Sequence, residues 1–100
     1  MRNFDVSHVD EIIHGRVRLG VMAYLSAQGR ADFTELRDAL CSAEGALSIH
    51  LRKLEDAGYV KIEKGFKGRR PRTRVALTAA GRAAYQDYLR TLSDMLGAKF

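Results

Sequence analysis

Cysteine and proline are nearly absent from this chain of 100 residues, which holds one of each, Cys41 and Pro71. A lone cysteine closes no internal disulfide, so the cross-links that small secreted scaffolds use in place of a large core are excluded, and the expected compartment is the cytoplasm. No apolar run reaches the roughly 18 residues needed to span a bilayer, no leader-like segment opens the chain, and no low-complexity stretch marks a linker. Catalytic patterns are missing too. There is no nucleophile at a recognised spacing from a base, no glycine-rich phosphate loop and no paired-carboxylate motif, so neither an enzymatic activity nor a cofactor is expected. His8 and His14 stand six residues apart across an expected helix break and, even with Cys41, make no metal-ligand spacing, so no metal site is assigned.

What is present suits one globular domain over residues 1–100. The chain is 46% hydrophobic, yet a chain this short buries only about two thirds of its unfolded surface. It therefore gains from pairing with a second copy. Charge is distributed unevenly along it. Lys61, Lys64, Lys67, Arg69, Arg70, Arg72 and Arg74 face only Glu63 within one segment, a local sum of +6, while the net charge of the whole is +5. Cations concentrated in this way point to a polyanion met by one segment.

The stretch from Ser42 to Val60 reads as one amphipathic helix. Ser42 is the expected N-cap, Glu44 places a negative charge at the positive end of the helix dipole, and Gly58 supplies the stop. Leu47, Leu51 and Leu54, with Ala57 beside them, form the buried stripe. Gly45, Ser48, Ile49 and Arg52 project from the opposite face, with Ala46 and Lys53 on its flank. Such a surface suits a DNA groove: small residues let the backbone approach base edges, Ser and Arg hydrogen-bond them, and Ile meets a thymine methyl. An ordinary solvated helix face would also carry these residues.

Met1 to Val6 reads as a short arm. Ser7 is the expected cap of a first helix containing Val9, Ile12 and Ile13, ended by His14-Gly15. A second helix over about Arg16 to Ala27 carries Val17, Val21, Tyr24 and Leu25, and Gln28-Gly29-Arg30 makes a turn. Asp32-Phe33-Thr34-Glu35 matches a capping box and opens a short helix to about Leu40. That helix, a turn at Cys41-Ser42 and the Ser42 to Val60 helix form a helix-turn-helix pair. Cys41 sits where a helix dipole can lower a thiol pKa and make oxidation a switch, or else it is a small buried hydrophobe.

Past Gly58 the period becomes two. Val60 and Ile62 alternate with Lys61 and Glu63, and Val75 and Leu77 with Arg74 and Ala76, which predicts a hairpin over about 60–78. Between those strands, Lys64 to Arg72 reads as a flexible cationic tip. Thr78 is the expected cap of a last helix over about 78–97. Tyr85, Tyr88, Leu89, Leu92, Met95 and Leu96 make it apolar over a broad side that must pack either on the first helix of its own chain or on a second protomer, and in the second case they are the candidate dimer interface.

Ser48-x-His50-Leu51-x-x-Leu54-x-x-Ala57-Gly58-Tyr59-Val60, the basic hairpin after it, and Leu77-Thr78-x-x-Gly81-Arg82 resemble the winged helix-turn-helix regulators of the MarR, ArsR and PadR grouping. The similarity is closest to small MarR-like transcriptional regulators and covers roughly residues 14–82. It implies a fold of α+β class, mostly helical, with an N-terminal helix, a wing and a C-terminal dimerisation helix. It also implies a homodimer on double-stranded DNA, the long helix reading base edges in the major groove and the wing meeting the backbone or minor groove. On that basis Gly45, Ala46, Ser48, Ile49, His50, Arg52 and Lys53 are expected on DNA from the recognition helix, with His50, at the edge of the leucine stripe, read alternatively as a packed structural histidine. Thr34 and Arg37 are expected either to reach phosphates from the supporting helix or to be a cap neighbour and a solvated surface charge, and Lys64, Lys67, Arg69, Arg70, Arg72 and Arg74 to reach them from the wing, where a solvated charge run is the alternative. Metal-sensing members of the grouping carry a cysteine pair near the recognition region, and this chain has Cys41 alone. The resemblance specifies neither operator nor small-molecule effector. A winged-helix module that docks proteins without sequence-specific DNA binding is the alternative, against which the charge of the wing argues. RNA is disfavoured because its deep, narrow major groove excludes the helix and no stacking aromatics are displayed.

Overall fold

The computed structural model describes residues 6–97, so all of the expected N-terminal arm except Val6 lies outside the described residues. After a short 3-10 turn (Val6–His8) come α1 (Arg16–Gln28), β1 (Arg30–Asp32), α2 (Phe33–Leu40), α3 (Glu44–Asp56), β2 (Val60–Lys67), β3 (Arg70–Leu77) and α4 (Ala79–Leu96). The class is α+β and mostly helical, as the resemblance implies: four α-helices and one antiparallel sheet of strand order β1-β3-β2 among the described residues.

The α3 leucines explain where the core lies. Leu47, Leu51 and Leu54 fall on one stripe and are each at most 1% exposed. They meet Val21, Met22 and Leu25 of α1, Leu36 of α2, and Val60 and Val75 of the hairpin in one buried cluster. Ala57, expected beside the stripe, is exposed because the helix has already ended there. At that end the Gly58 N–H donates to the Glu55 carbonyl and the Tyr59 N–H to the Leu54 carbonyl, both at 2.9 Å. Gly58 closes this Schellman turn at φ 82°, a backbone state open to glycine without strain. The same turn ends α2 on a residue that does pay for it: Cys41 sits at φ 50° while the Ser42 N–H donates to the Arg37 carbonyl at 3.1 Å. Cys41 is exposed, which overturns its reading as a buried hydrophobe.

Three further expectations change. The cap of α3 is Ala43, not Ser42, whose hydroxyl donates to the Ala43 carbonyl instead. Glu44 does stand in the first turn. The N-terminal helix capped by Ser7 does not form. The Asp10 carboxylate accepts the backbone N–H groups of Ile12 at 2.8 Å and Ile13 at 3.2 Å, so a side chain takes the bonds a helix would need. The segment still delivers fully buried Ile13 to the core. Finally, Gly29 turns the chain into a short strand: β1 pairs with β3 from Arg30↔Ala76 to Asp32↔Arg74.

The hairpin is also more regular than a nine-residue flexible tip. Strand pairing runs to Lys67↔Arg70, leaving a two-residue turn at Gly68-Arg69 with Gly68 at φ 63°. Pro71 is tolerated because ladder alternation points the N–H position of Phe66↔Pro71 away from the partner strand.

Thr78 then caps α4, accepting the Gly81 N–H at 2.9 Å. Gly81 itself is buried with no room for a side chain, since an added Cβ would overlap the Tyr59 carbonyl. Alanine is the better helix former by about 1 kcal/mol, but this overlap is with rigid backbone. Gly81→Ala should therefore lower unfolding free energy by about 1–3 kcal/mol or more, read as a drop in the urea midpoint. An unchanged or higher midpoint would show that α4 can slide off the Tyr59 carbonyl at no cost.

Candidate nucleic-acid interface

The exposed face of α3 and the free part of the hairpin adjoin each other. Ser48, Arg52 and Glu55 of α3 line one open cleft with Ile62, Lys64 and Thr73 of the hairpin, and Glu44 and Phe33 also line it. The Glu55 carboxylate accepts the Ile62 N–H at 2.8 Å and ties the end of α3 to the first strand of the wing. Because β1 pairs only as far as Arg74, the hairpin beyond Glu63↔Arg74 projects free of the sheet.

Of the seven residues expected on DNA from α3, Gly45, Ala46, Ser48, Ile49, Arg52 and Lys53 are exposed. Ile49 keeps 61% of its surface in water, which nothing within the fold rewards. A Cβ at Gly45 would meet no atom within 4 Å, so packing does not demand the glycine. His50 differs. It is half-buried, and its Nδ1 is sealed from solvent without a hydrogen-bond partner. Burial first, then the positive charges of Arg18 and Lys53, push its pKa below the ordinary value. The neutral ring fits the packed reading of this residue better than an outward contact.

On α2, Thr34 is exposed, whereas Arg37 is tethered to Asp38 at 3.1 Å and to Glu44 at 3.8 Å. Exposed pairs of this kind contribute little and can be exchanged for a phosphate. On the hairpin, Lys64, Lys67, Arg69 and Arg70 are exposed and Arg72 is half-buried, and no carboxylate among the described residues pairs with any of them. Arg74 is engaged: its Nε lies 3.5 Å from Asp32 Oδ1 at the root of the wing. Phe66, on the same hairpin and 70% exposed, overturns the expectation that no aromatic is displayed, because nothing in a strand period marks an outward aromatic from an inward one.

The expected dimer residues divide. Tyr88 is a core residue of its own chain, 3% exposed and hydrogen-bonded to His14 Nδ1 at 2.9 Å, which removes it from any outer surface. Tyr85 and Leu92 are half-buried against the same core. Leu89 and Met95 are half-buried, and Leu96 is 62% exposed. Among the described residues no helix is long and apolar enough to cross a membrane, and no three His, Cys, Asp or Glu side chains cluster as metal ligands do.

Residues 17–96 match the family model described as a winged helix DNA-binding domain. The chain belongs to that family. A transcriptional regulator homologue from Pyrococcus horikoshii is 33% identical and superposes with a TM-score of 0.83 over 88% of this chain and 87% of its own. A protein from Enterococcus faecalis described as a MarR-family transcriptional regulator is 34% identical, with a TM-score of 0.69 over 81% of this chain and 72% of its own. An uncharacterised protein of Methanocaldococcus jannaschii is 32% identical over 79 residues, 79% of this chain and 86% of that protein. This winged helix is thus of the kind found in MarR-type regulators, and its second and third helices with the β2–β3 wing are the elements laid out above.

His50 gives this surface a pH signature. Its folded pKa lies below the ordinary 6.5, so its contribution to stability is complete above about that pH and is lost as pH falls below it. His50→Gln should flatten the decline in urea midpoint between about pH 6.5 and 5 relative to wild type, and parallel curves would show the ring is not desolvated.

Proposed function

We propose that this chain is a sequence-specific double-stranded DNA-binding transcriptional regulator that works in the cytoplasm as a homodimer, its residues 1–100 forming one winged-helix unit. The observation that carries this is the continuity of two surfaces, a small and polar recognition-helix face and a projecting hairpin of unpaired cations. Gly45, Ala46, Ser48, Ile49 and Arg52 read base edges in the major groove, with Lys53 and Thr34 beside the backbone. Lys64, Lys67, Arg69, Arg70 and Arg72 neutralise phosphates from the wing, and Arg37 joins them by giving up its exposed carboxylates. His50 and Arg74 act indirectly, one by packing and one by holding the wing root. A domain that only docks proteins has no use for unpaired cations on a hairpin, and neither catalysis nor a cofactor enters this reading.

The two surfaces make separable predictions. Arg69→Ala with Arg70→Ala should weaken binding to all sequences alike and lower the slope of log K against log salt by about two per protomer. Ser48→Ala, Ile49→Ala or Arg52→Ala should instead change which genomic fragments are selected, each lost base contact costing about 1–3 kcal/mol of discrimination. An unchanged slope removes the wing from the interface, and an unchanged preference in all three removes the helix as reader.

Dimerisation is supported by a groove between the N-terminal segment and α4, lined by Val6, Val9, Glu11, His14, Leu92 and Met95. Val6, Ile12 and Leu96, of the same two segments, are 70%, 37% and 62% exposed. A two-fold pair built there sets two recognition helices about 34 Å apart, so the operator is an inverted repeat with half-sites about 10 base pairs apart. Light scattering should give a dimer that Met95→Glu with Leu96→Glu dissociates. A monomer binding one unrepeated site tightly would sink this assembly.

A further inference from the structure

Phe66 is the large apolar side chain that neither the core nor the reading above uses. At 70% exposure it lies on the free part of the hairpin, flanked in sequence by Gly65 and Lys67 and two residues from the turn. Its face follows from the register. Pairing is one-to-one from Val60↔Leu77 to Lys67↔Arg70, so Val60, Ile62, Lys64 and Phe66 share one face with Leu77, Val75, Thr73 and Pro71. At the root that face is the core, since Val60 and Val75 are at most 2% exposed. Further out, Ile62, Lys64 and Thr73 line the cleft with Ser48 and Arg52 of the recognition helix. Phe66 and Pro71 therefore continue the recognition-helix side of the wing. Lys67, Arg70, Arg72 and Arg74 occupy the other side.

Pro71 stands directly opposite Phe66. Theirs is a non-hydrogen-bonded pair, in which facing side chains approach most closely, so the rigid pyrrolidine backs the aromatic ring and limits how it can lie down. The result is a stiff apolar knob on a cationic ribbon. Water rewards nothing about this placement, and an exposed aromatic on an outer strand is an aggregation hazard unless a partner takes it. The surrounding charge selects the partner: Lys64, Lys67, Arg69 and Arg70 carry no ion pair among the described residues and would bring a polyanion against the ring.

We propose that Phe66, backed by Pro71, is an apolar wedge that enters the minor groove beside each half-site. This rests on the DNA-binding reading above and adds to it. The minor groove, about 6 Å wide, is too narrow for the ribbon but admits a ring aimed edgewise between sugars. Inserted wedges of this type partly unstack a base step, which is easiest at pyrimidine–purine steps. The ring thereby confers preference for a TA or CA/TG step at positions the recognition helix does not touch. The cations on the other side of the ribbon supply attraction without sequence.

The test uses the full chain and duplexes chosen by wild-type selection, with 2-aminopurine placed in turn at each position flanking a half-site. Wild type should raise 2-aminopurine fluorescence at one flanking step. Phe66→Ala should abolish that rise, weaken binding to the selected duplex about tenfold, erase the flanking-step preference, and leave the salt slope, melting temperature and oligomeric mass unchanged. Phe66→Leu, still a wedge, should keep most of the affinity. Wild-type affinity, step preference and fluorescence in Phe66→Ala would overturn the wedge alone, with DNA binding intact. A fall in melting temperature or a change of mass in that variant would assign the ring to a protein contact and overturn it as well. A wild type that binds no duplex would remove both this inference and the reading beneath it.

Discussion

The backbone carbonyl of Tyr59 is the point on which the relative placement of helix, wing and C-terminal helix depends. It accepts the Thr78 N–H at 3.1 Å and lies against the bare Cα of Gly81. The Thr78 hydroxyl closes the arrangement from the other side, donating to the Gly58 carbonyl at 2.6 Å while accepting from Gly81. Two connections thus meet there: α3 to β2 through Gly58-Tyr59, and β3 to α4 through Thr78. The Tyr59 side chain adds the N-terminal segment through a 2.6 Å hydrogen bond to Asp10, which with burial pushes the phenol pKa up to about 12.

Such a junction fixes an angle. A rigid α3 read against one groove is useful only if the wing arrives at the backbone in a constant relation to it, and the Glu55 to Ile62 bond holds the same two elements a turn further along. The distal hairpin has no such support after Arg74 pairs with Asp32. It remains a two-stranded ribbon whose free edges and cations are open, which is the form a nucleic-acid contact needs and a packed core does not.

Charge gathers at the wing, while exposed apolar side chains are shared between α3 and the hairpin, with Ile49 and Phe66, and the N-terminal segment and α4, with Val6, Ile12 and Leu96. His14 and Tyr88 join the N-terminal segment to α4, so the surface proposed for pairing is built from two segments already locked together. What remains apolar there is the rim left after the core has taken Ile13 and Tyr88.

The positions of α1, α2, α3 and α4, the hairpin and its charge were legible in the sequence, because each is encoded locally: leucines at helical spacing in α3, alternation from Val60 to Glu63, Gly58 as a stop, Thr78 as a cap. The outward face of the recognition helix followed from the same stripe. Strand β1 was not legible, since Arg30-Ala31-Asp32 has one apolar residue and becomes a strand only by pairing with residues more than forty positions away. Nor was the N-terminal turn, where Asp10 takes amides that a helix rule assigns to the backbone, or the length of the wing strands, where cross-strand pairing overrides glycine and proline. Tyr88 reads as an outer residue of an apolar helix, yet only the folded chain shows that His14 and Ile13 cover it. Local periodicity therefore determined the four helices, the hairpin and which of their sides are apolar, but neither β1 nor the N-terminal turn. Which apolar side chains stay exposed, among them Phe66, was decided by what the rest of the chain brings against them, because burial is a property of long-range contacts and not of spacing.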